Sequence, residues 1–329
     1  MKPRVIILLS FFCLVSICTT GQSQTVTIKY GQIPSSIQSV SSLPLYVAQK
    51  RGFFAREGLN LEIIPVEGGT DKMVAALDRG AVDITRTATP YLILAALKGS
   101  EAVAIAGETA TPIYSLMVQP DIRSFKDLKG KLLGLSLKVD TISISTRKLL
   151  ALHGLREEDY RVKELVGTPL RSKCLQSGEC AGVPLGQPED FAAIKQGYRR
   201  IGVSNEAVPN FLFTVSAARR RWAEENKEAV VGYVRALASA CRYLREPGNR
   251  DDVVQTIVEK TGSSAEIARQ VLSLYFEPDR GVFPKQAELD LQGLRRVIQF
   301  MGEAGELTAP LPKAERFVDL QFLRAAGIR

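Results

Sequence analysis

The sequence predicts an α/β protein of two domains, the first interrupted by the second. Segments of strand period and helix period alternate through the first two thirds of the 329 residues, the mark of parallel strands joined by crossover helices. From Ala217 onward the pattern is helical almost throughout, and such helices need an existing sheet to cover their apolar stripes. Two extended stretches, 113–118 and 209–216, stand where the alternation breaks off, as hinge crossings between domains would.

The elements follow in order. "TVTIKYG" alternates as a strand, and "LPLYVAQKRGFFAREG" carries apolar residues at helical spacing until Gly58. "LNLEIIPV" is a second strand, "TDKMVAALDRG" a helix, "AVDIT" a third strand, "PYLILAALKGS" a helix and "AVAIAGE" a fourth strand. Repetition of this unit implies right-handed βαβ crossovers. After the first extended stretch, Ser124 to Gly130 reads as a short helical turn and Lys131 to Leu135 as a buried strand. "TISISTRKLLALHGL", "TPLRSKCLQSG" and "PEDFAAIKQG" are then helices, separated by the strands "YRVKELV" and "CAGVPLG" and followed by "YRRIGV".

The first residues stand apart from the fold. Lys2 and Arg4, the apolar run Val5 to Ile17 and the small residues Thr19 to Ser23 read as a secretory signal over residues 1–23. The run is short for a membrane-spanning helix, which needs roughly 20 residues. Removal is expected near Gln22 to Gln24; the alternative is lipid attachment at Cys18, within "LVSIC". The formal charge of +8 becomes +6 without Lys2 and Arg4. That excess is thinly spread, and the clusters Arg199-Arg200 and Arg219-Arg220-Arg221 have no aromatic platform for stacked bases, so no nucleic-acid partner is expected.

Beyond the signal, three cysteines remain: Cys174, Cys180 and Cys241. Cys174 and Cys180 flank a helix end and a strand start, where an oxidising compartment would allow a disulfide. Cys241 lies on an apolar helical face and reads as a buried thiol. No metal is expected, because no histidine accompanies these cysteines. His153, the only histidine, precedes Gly154 at a helix end, where it reads as a C-terminal cap. With no Ser-His-Asp set, phosphate loop with its lysine or paired cysteine motif, the chain is not expected to be an enzyme, and no cofactor is expected.

The segments "LPLYVAQKRGFFAREGLNLEIIPVEGGTDKMVAALDRGAVDI", "SFKDLKGKLLGLS" and "LQSGECAGVPLGQPED" occur in an order that resembles the solute-binding proteins of ABC importers for nitrate, sulfonate, taurine and thiamine precursors. The resemblance spans essentially the whole chain after the signal. It implies a two-lobed type II periplasmic binding-protein fold that closes on its ligand, a periplasmic location, a monomer and an ABC importer permease in the inner membrane as partner. The lobes are then expected to divide as 24–116 with 212–329, and 117–211. Two residues depart from the pattern. Cys180 and Arg86 stand where relatives usually carry small or aliphatic residues, and each bears on the ligand. Enzymes that make a thiamine pyrimidine or cleave small acids on the same fold, and ligand sensors, are the alternatives.

Open α/β sheets bind ligands outside the carboxyl ends of their strands. In the first lobe this selects three corners. One is the serine-rich loop with Gln32, Ser35, Ser36, Ser39 and Tyr46; another is Gly68-Gly69-Thr70, where Thr70 can cap the next helix. The third holds Arg86 and Thr87, in the loop expected after the third strand, with Arg86 as a bidentate clamp for a carboxylate, sulfonate or phosphate. The second lobe offers Ser136, Lys138, Asp140 and Thr141, then Leu185, Gly186, Gln187 and Pro188, with Asn210 near the hinge. The expected ligand is small and anionic.

Overall fold

The computed structural model describes residues 25–328, so the expected signal and its cleavage site lie outside it. Along the first part run β1 (Val26–Gln32), α1 (Pro34–Ile37), α2 (Leu43–Lys50), α3 (Phe53–Arg56), β2 (Leu59–Pro65), α4 (Met73–Asp78), β3 (Ile84–Ala88), α5 (Thr89–Leu97) and β4 (Ala102–Thr109). Then come β5 (Ser115–Val118), β6 (Leu132–Leu135), α6 (Thr141–Leu152), β7 (Arg161–Glu164), α7 (Thr168–Gln176), β8 (Gly182–Leu185), α8 (Glu189–Lys195) and β9 (Arg199–Val203). After β10 (Thr214–Arg219) the chain is helical: α9 (Arg220–Glu225), α10 (Lys227–Tyr243), α11 (Arg250–Thr261), α12 (Ala265–Phe276), α13 (Leu291–Glu303) and α14 (Gln321–Ala325).

These strands form two five-stranded sheets, ordered β2-β1-β3-β10-β4 and β7-β6-β8-β5-β9. β1 is parallel to β2 and β3, and β6 to β7 and β8. β10 runs antiparallel between β3 and β4, and β5 antiparallel between β8 and β9. Four strands of each sheet thus share a direction, and the strand that enters from the other lobe opposes them. β5 begins at Ser115, two residues before the expected boundary, so the first crossing is confined to the segment between Thr109 and Ser115.

The first sheet shares one core with the C-terminal helices. Tyr30 and Phe54 both stack on Tyr233 of α10, and Val318 forms an isolated bridge to Ala104 of β4. α10 explains its place by spacing: Val230, Val234, Leu237, Ala238 and Cys241 recur on one face and are buried together. Smaller cores fill the second lobe, where Cys174 and Cys180 are joined by a disulfide that ties α7 to the segment entering β8. Cys241 is a free, buried thiol. His153 is the C-cap of α6, its ring stacked 3.7 Å from that of Phe125. No helix among the described residues is long and apolar enough to cross a membrane.

Candidate functional site

Between the sheets lies a cavity of about 60 Å³ lined from both lobes. An engineered cavity of about 150 Å³ accommodates benzene, so this one suits a group of only a few non-hydrogen atoms. Tyr114 and Phe213, packed edge to face at 5.9 Å, and Ile33, Ile142 and Val166 supply its apolar walls. Burial pushes the Tyr114 hydroxyl up to about 12. The lobes are closed over the cavity. Tyr275 donates to Gln187 Oε1 at 2.8 Å, Val40 N to the Gln187 carbonyl at 3.4 Å and Thr70 Oγ1 to Asp140 Oδ2 at 3.4 Å. Ala88, Tyr91 and Phe213 pack with Leu137 and Ile142 from the opposite lobe and with Tyr114 on the crossing between them. Three ion pairs also span the rim: Lys138 with Glu306 at 3.0 Å, Lys148 with Glu303 at 2.5 Å and Lys195 with Glu266 at 2.9 Å.

Of the residues expected from sequence, Gln32, Ser35, Ser36, Thr70, Arg86, Ser136 and Asp140 line the cavity, and Ser39 joins them. Two arrive differently from expectation. Arg86 is not in a loop, because β3 extends over Ile84–Ala88 with every residue buried. Its Nη1 donates to Ser42 Oγ at 2.6 Å, its Nη2 to Thr109 and Thr214 at 2.9 and 3.1 Å, and its Nε lies 3.6 Å from Glu108. Only one of its five N–H groups remains for a ligand, and its charge is already matched. Thr70 does not cap a helix. The turn it opens has no side-chain cap, and its hydroxyl crosses to Asp140 instead.

The remaining expected residues stand outside the wall. Tyr46 donates to the Ser36 and Ile37 carbonyls and so braces the serine loop from behind. Gly69 passes so close to the other lobe that a Cβ would sit 2.8 Å from Val166, while a Cβ on Gly186 would meet the Tyr114 ring at 3.3 Å. Thr87 is buried in β3, where its hydroxyl donates to the Ala88 carbonyl. Lys138 is taken by its rim pair with Glu306. Thr141 is buried in the first turn of α6, and Gln187 is held between Asp190 and Tyr275. Asn210 is exposed on the connector, its carbonyl accepting from Arg296.

The second lobe's corner carries a negative charge of its own. Asp140 is the N-cap of α6, accepting from Ile142 N at 3.0 Å and Ser136 Oγ at 2.9 Å. The protein's own carboxylate therefore occupies that helix start. Burial raises the Asp140 pKa above the ordinary carboxylate value, against these hydrogen bonds.

The residue that sequence reasoning missed is Arg171 on α7. It lines the cavity and is 1% exposed. Its Nε donates to the Pro184 carbonyl at 2.8 Å, Nη1 to the Leu165 carbonyl at 3.1 Å and Nη2 to Thr168 Oγ1 at 3.2 Å. Every acceptor is neutral, and among the described residues no carboxylate lies in ion-pair contact with it, while Asp140 on the same cavity wall and Glu189 act on its charge from further off. Burial lowers its pKa from the ordinary guanidinium value, yet an arginine keeps its proton. Gly167 and Thr168, at the uncapped start of α7, adjoin it on the wall. Positive charge is thus concentrated where α7 begins.

The fold and cleft define a two-lobed α/β binding-protein architecture, with strands from both lobes ending at one enclosed cavity. NrtA, a periplasmic nitrate-binding protein from Synechocystis PCC 6803, has a similar structure, with TM-score 0.76 and 14% identity over 92% of this chain and 89% of that one. The description NMT1/THI5 like fits residues 39–249, and the chain belongs to that family. It is 24% identical to YtlA of Bacillus subtilis over 92% of this chain and 91% of that protein. It is 22% identical to a formylaminopyrimidine-binding protein of Halalkalibacterium halodurans, over 95% of this chain and 97% of that protein. A 4-amino-5-hydroxymethyl-2-methylpyrimidine phosphate synthase of Schizosaccharomyces pombe is similar over a shorter stretch, 28% identical across 36% of this chain and 34% of that protein.

Proposed function

We propose that the chain is an extracytoplasmic solute-binding protein that closes on a small anionic solute and delivers it to an ABC importer permease. The observation that carries this is Arg171, a buried guanidinium on a cavity wall with only neutral partners. Asp140 and Glu189 offset its charge only at longer range; a buried charge without a direct ion-pair partner is costly, and a bound anion relieves that cost as the lobes close. Closure then follows from differential affinity: the solute meets both walls only in the closed form. Moving a population from 1:99 to 99:1 takes about 5.5 kcal/mol of such preference, within reach of one clamped anion and a few hydrogen bonds. Relatives along nearly the full chain carry binding-protein names, which supports a role without turnover and a location outside the cytoplasm. The synthase reading rests on a match to about a third of the chain.

Thermal unfolding in the presence of nitrate, short carboxylates and short sulfonates tests the reading. A ligand at 100 times its Kd stabilises by about 2.7 kcal/mol, so one class should raise Tm with concentration. No shift from any of them contradicts the proposal, and chemical turnover of the stabilising compound by the isolated protein replaces it with the enzyme reading.

A further inference from the structure

A second cavity, of about 190 Å³, lies at the rim between the lobes and shares no lining residue with the first. The second lobe contributes α6 and the turn that follows it, and α13 closes the space from the first lobe. Ile144, Leu155, Tyr160 and Phe300 give it apolar walls, and the Phe300 ring is held by stacking on Phe211 at 5.8 Å. Benzene is accommodated in about 150 Å³, so a six-membered ring fits here and not in the first cavity of about 60 Å³.

The walls also carry charge: Lys138, Arg147, Lys148 and Arg156 stand with Glu157 and Glu303. Lys138 and Lys148 are taken by Glu306 and Glu303, and Arg156, its side chain 82% exposed, meets Glu158 at 3.7 Å in solvent. Arg147 is placed differently. Its side chain is 18% exposed, and its ion-pair contact among the described residues is Glu157 at 3.5 Å, a side chain 67% exposed. Its Nε is buried with no hydrogen-bond partner. Burial raises the pKa of the Tyr160 hydroxyl nearby, and the Arg147 charge draws it back.

We propose that this cavity is a second binding site, for a monocyclic aromatic carboxylate, and that its occupation favours the closed form. The ring takes the apolar volume and the carboxylate pairs with Arg147. Ala151 and Ala304 on the wall are both exposed, so the carboxylate keeps part of its hydration, which lowers the desolvation cost of that pair. An occupant that touches α6 and α13 together meets both only when the lobes are closed, and so shifts the population toward that form. By reciprocity it raises the affinity of the first cavity for its own solute. Binding at the rim does not depend on what the first cavity holds; only this coupling rests on the proposed solute-binding role.

Titration calorimetry with benzoate and with benzyl alcohol, a neutral ring of similar size, tests it. Benzoate should saturate one site at millimolar concentrations and bind about tenfold more tightly than the alcohol, as a hydrogen bond to a charged group implies. Arg147→Gln should bring the two close to equal. Ala304→Trp, at an exposed position, should block both while leaving the urea midpoint unchanged. Small-angle scattering reads closure separately: benzoate alone should reduce the radius of gyration of the unaltered protein and leave that of Ala304→Trp as it is. No saturable benzoate binding, equal binding of acid and alcohol, or benzoate binding that survives Ala304→Trp would overturn the site, and the small-solute reading would still stand or fall by its own thermal test. Binding with an unchanged radius would overturn the effect on closure.

Discussion

Two buried arginines face one cavity, and their surroundings differ in a single respect. Arg86, in β3, has Glu108 beside it, and Tyr30 and Ser216 each donate to Glu108 Oε1 at 2.6 Å. Arg171, in α7, has two backbone carbonyls and a threonine hydroxyl. The first network is complete in itself: charge meets charge, and the hydroxyls around it are satisfied. The second has no carboxylate in direct contact, and Asp140 and Glu189 offset its charge only from further off. A buried charge with its counter-ion in place is scaffold, and one without is where a ligand is expected.

The largest effect that would break this comparison is on stability. Glu108→Gln leaves Arg86 buried without a counter-ion and should cost about 3–5 kcal/mol, read as a lower urea midpoint with an unchanged slope. A loss under about 1 kcal/mol would mean that the first-lobe pair is not the scaffold described.

A middle-sized effect depends on pH. Glu189, at the start of α8, is pushed up to about 7, chiefly by burial and further by the neighbouring Asp190 charge, with Arg171 pulling the other way. Its pKa is raised on folding, so between about pH 4.5 and 7 the unfolded chain gives up a proton that the native protein keeps. Stability therefore falls as pH rises through that window and levels off above it. Burial raises Asp140 and Asp190 too, adding to the same slope. Glu189→Gln should flatten part of it, stabilising at pH 8 by roughly 1–3 kcal/mol. An unchanged profile would place Glu189 in water.

The smallest effect is at the rim. Lys148 pairs with Glu303 and lies 4.3 Å from the Phe300 ring centroid, both on the opposite lobe. Such partly exposed pairs are worth a few tenths of a kcal/mol each and are screened by salt. Lys148→Ala should weaken solute binding two- to threefold, and added salt should narrow that difference. A tenfold loss would make the rim, not the cavity, the seat of closure.

Much of the fold was legible because period and punctuation agree. The alternation through Thr109, its restart at Lys131 and the helical end from Ala217 each set an element order that the sheets repeat. The site was half legible. Thr70, Ser136 and Asp140 stand where strand ends meet helix starts, a place that sequence can mark. Arg86 was misplaced because "TRT" looks like a polar loop, whereas in β3 these side chains are buried polar groups satisfied by residues far away in the chain. Arg171 was missed although its spacing held a signal: positions 171, 174 and 175 share a helical face, and Cys174 and Leu175 are buried while Leu170 is exposed. An arginine on the buried stripe of a helix marks a place where something else must answer its charge. What no local pattern could supply is the absence of a carboxylate in direct contact with it, which only tertiary structure decides.

The most direct test is the Arg171→Met protein, titrated with whichever small anion raises Tm of the unaltered chain, alongside urea unfolding of both. We expect affinity to fall at least a hundredfold, about 3 kcal/mol, while stability without ligand changes by under about 2 kcal/mol, since two carbonyls lose donors as an unmatched charge is removed. Unchanged affinity, or a loss of folding stability as large as the loss of binding, would contradict Arg171 as the seat of the solute's charge.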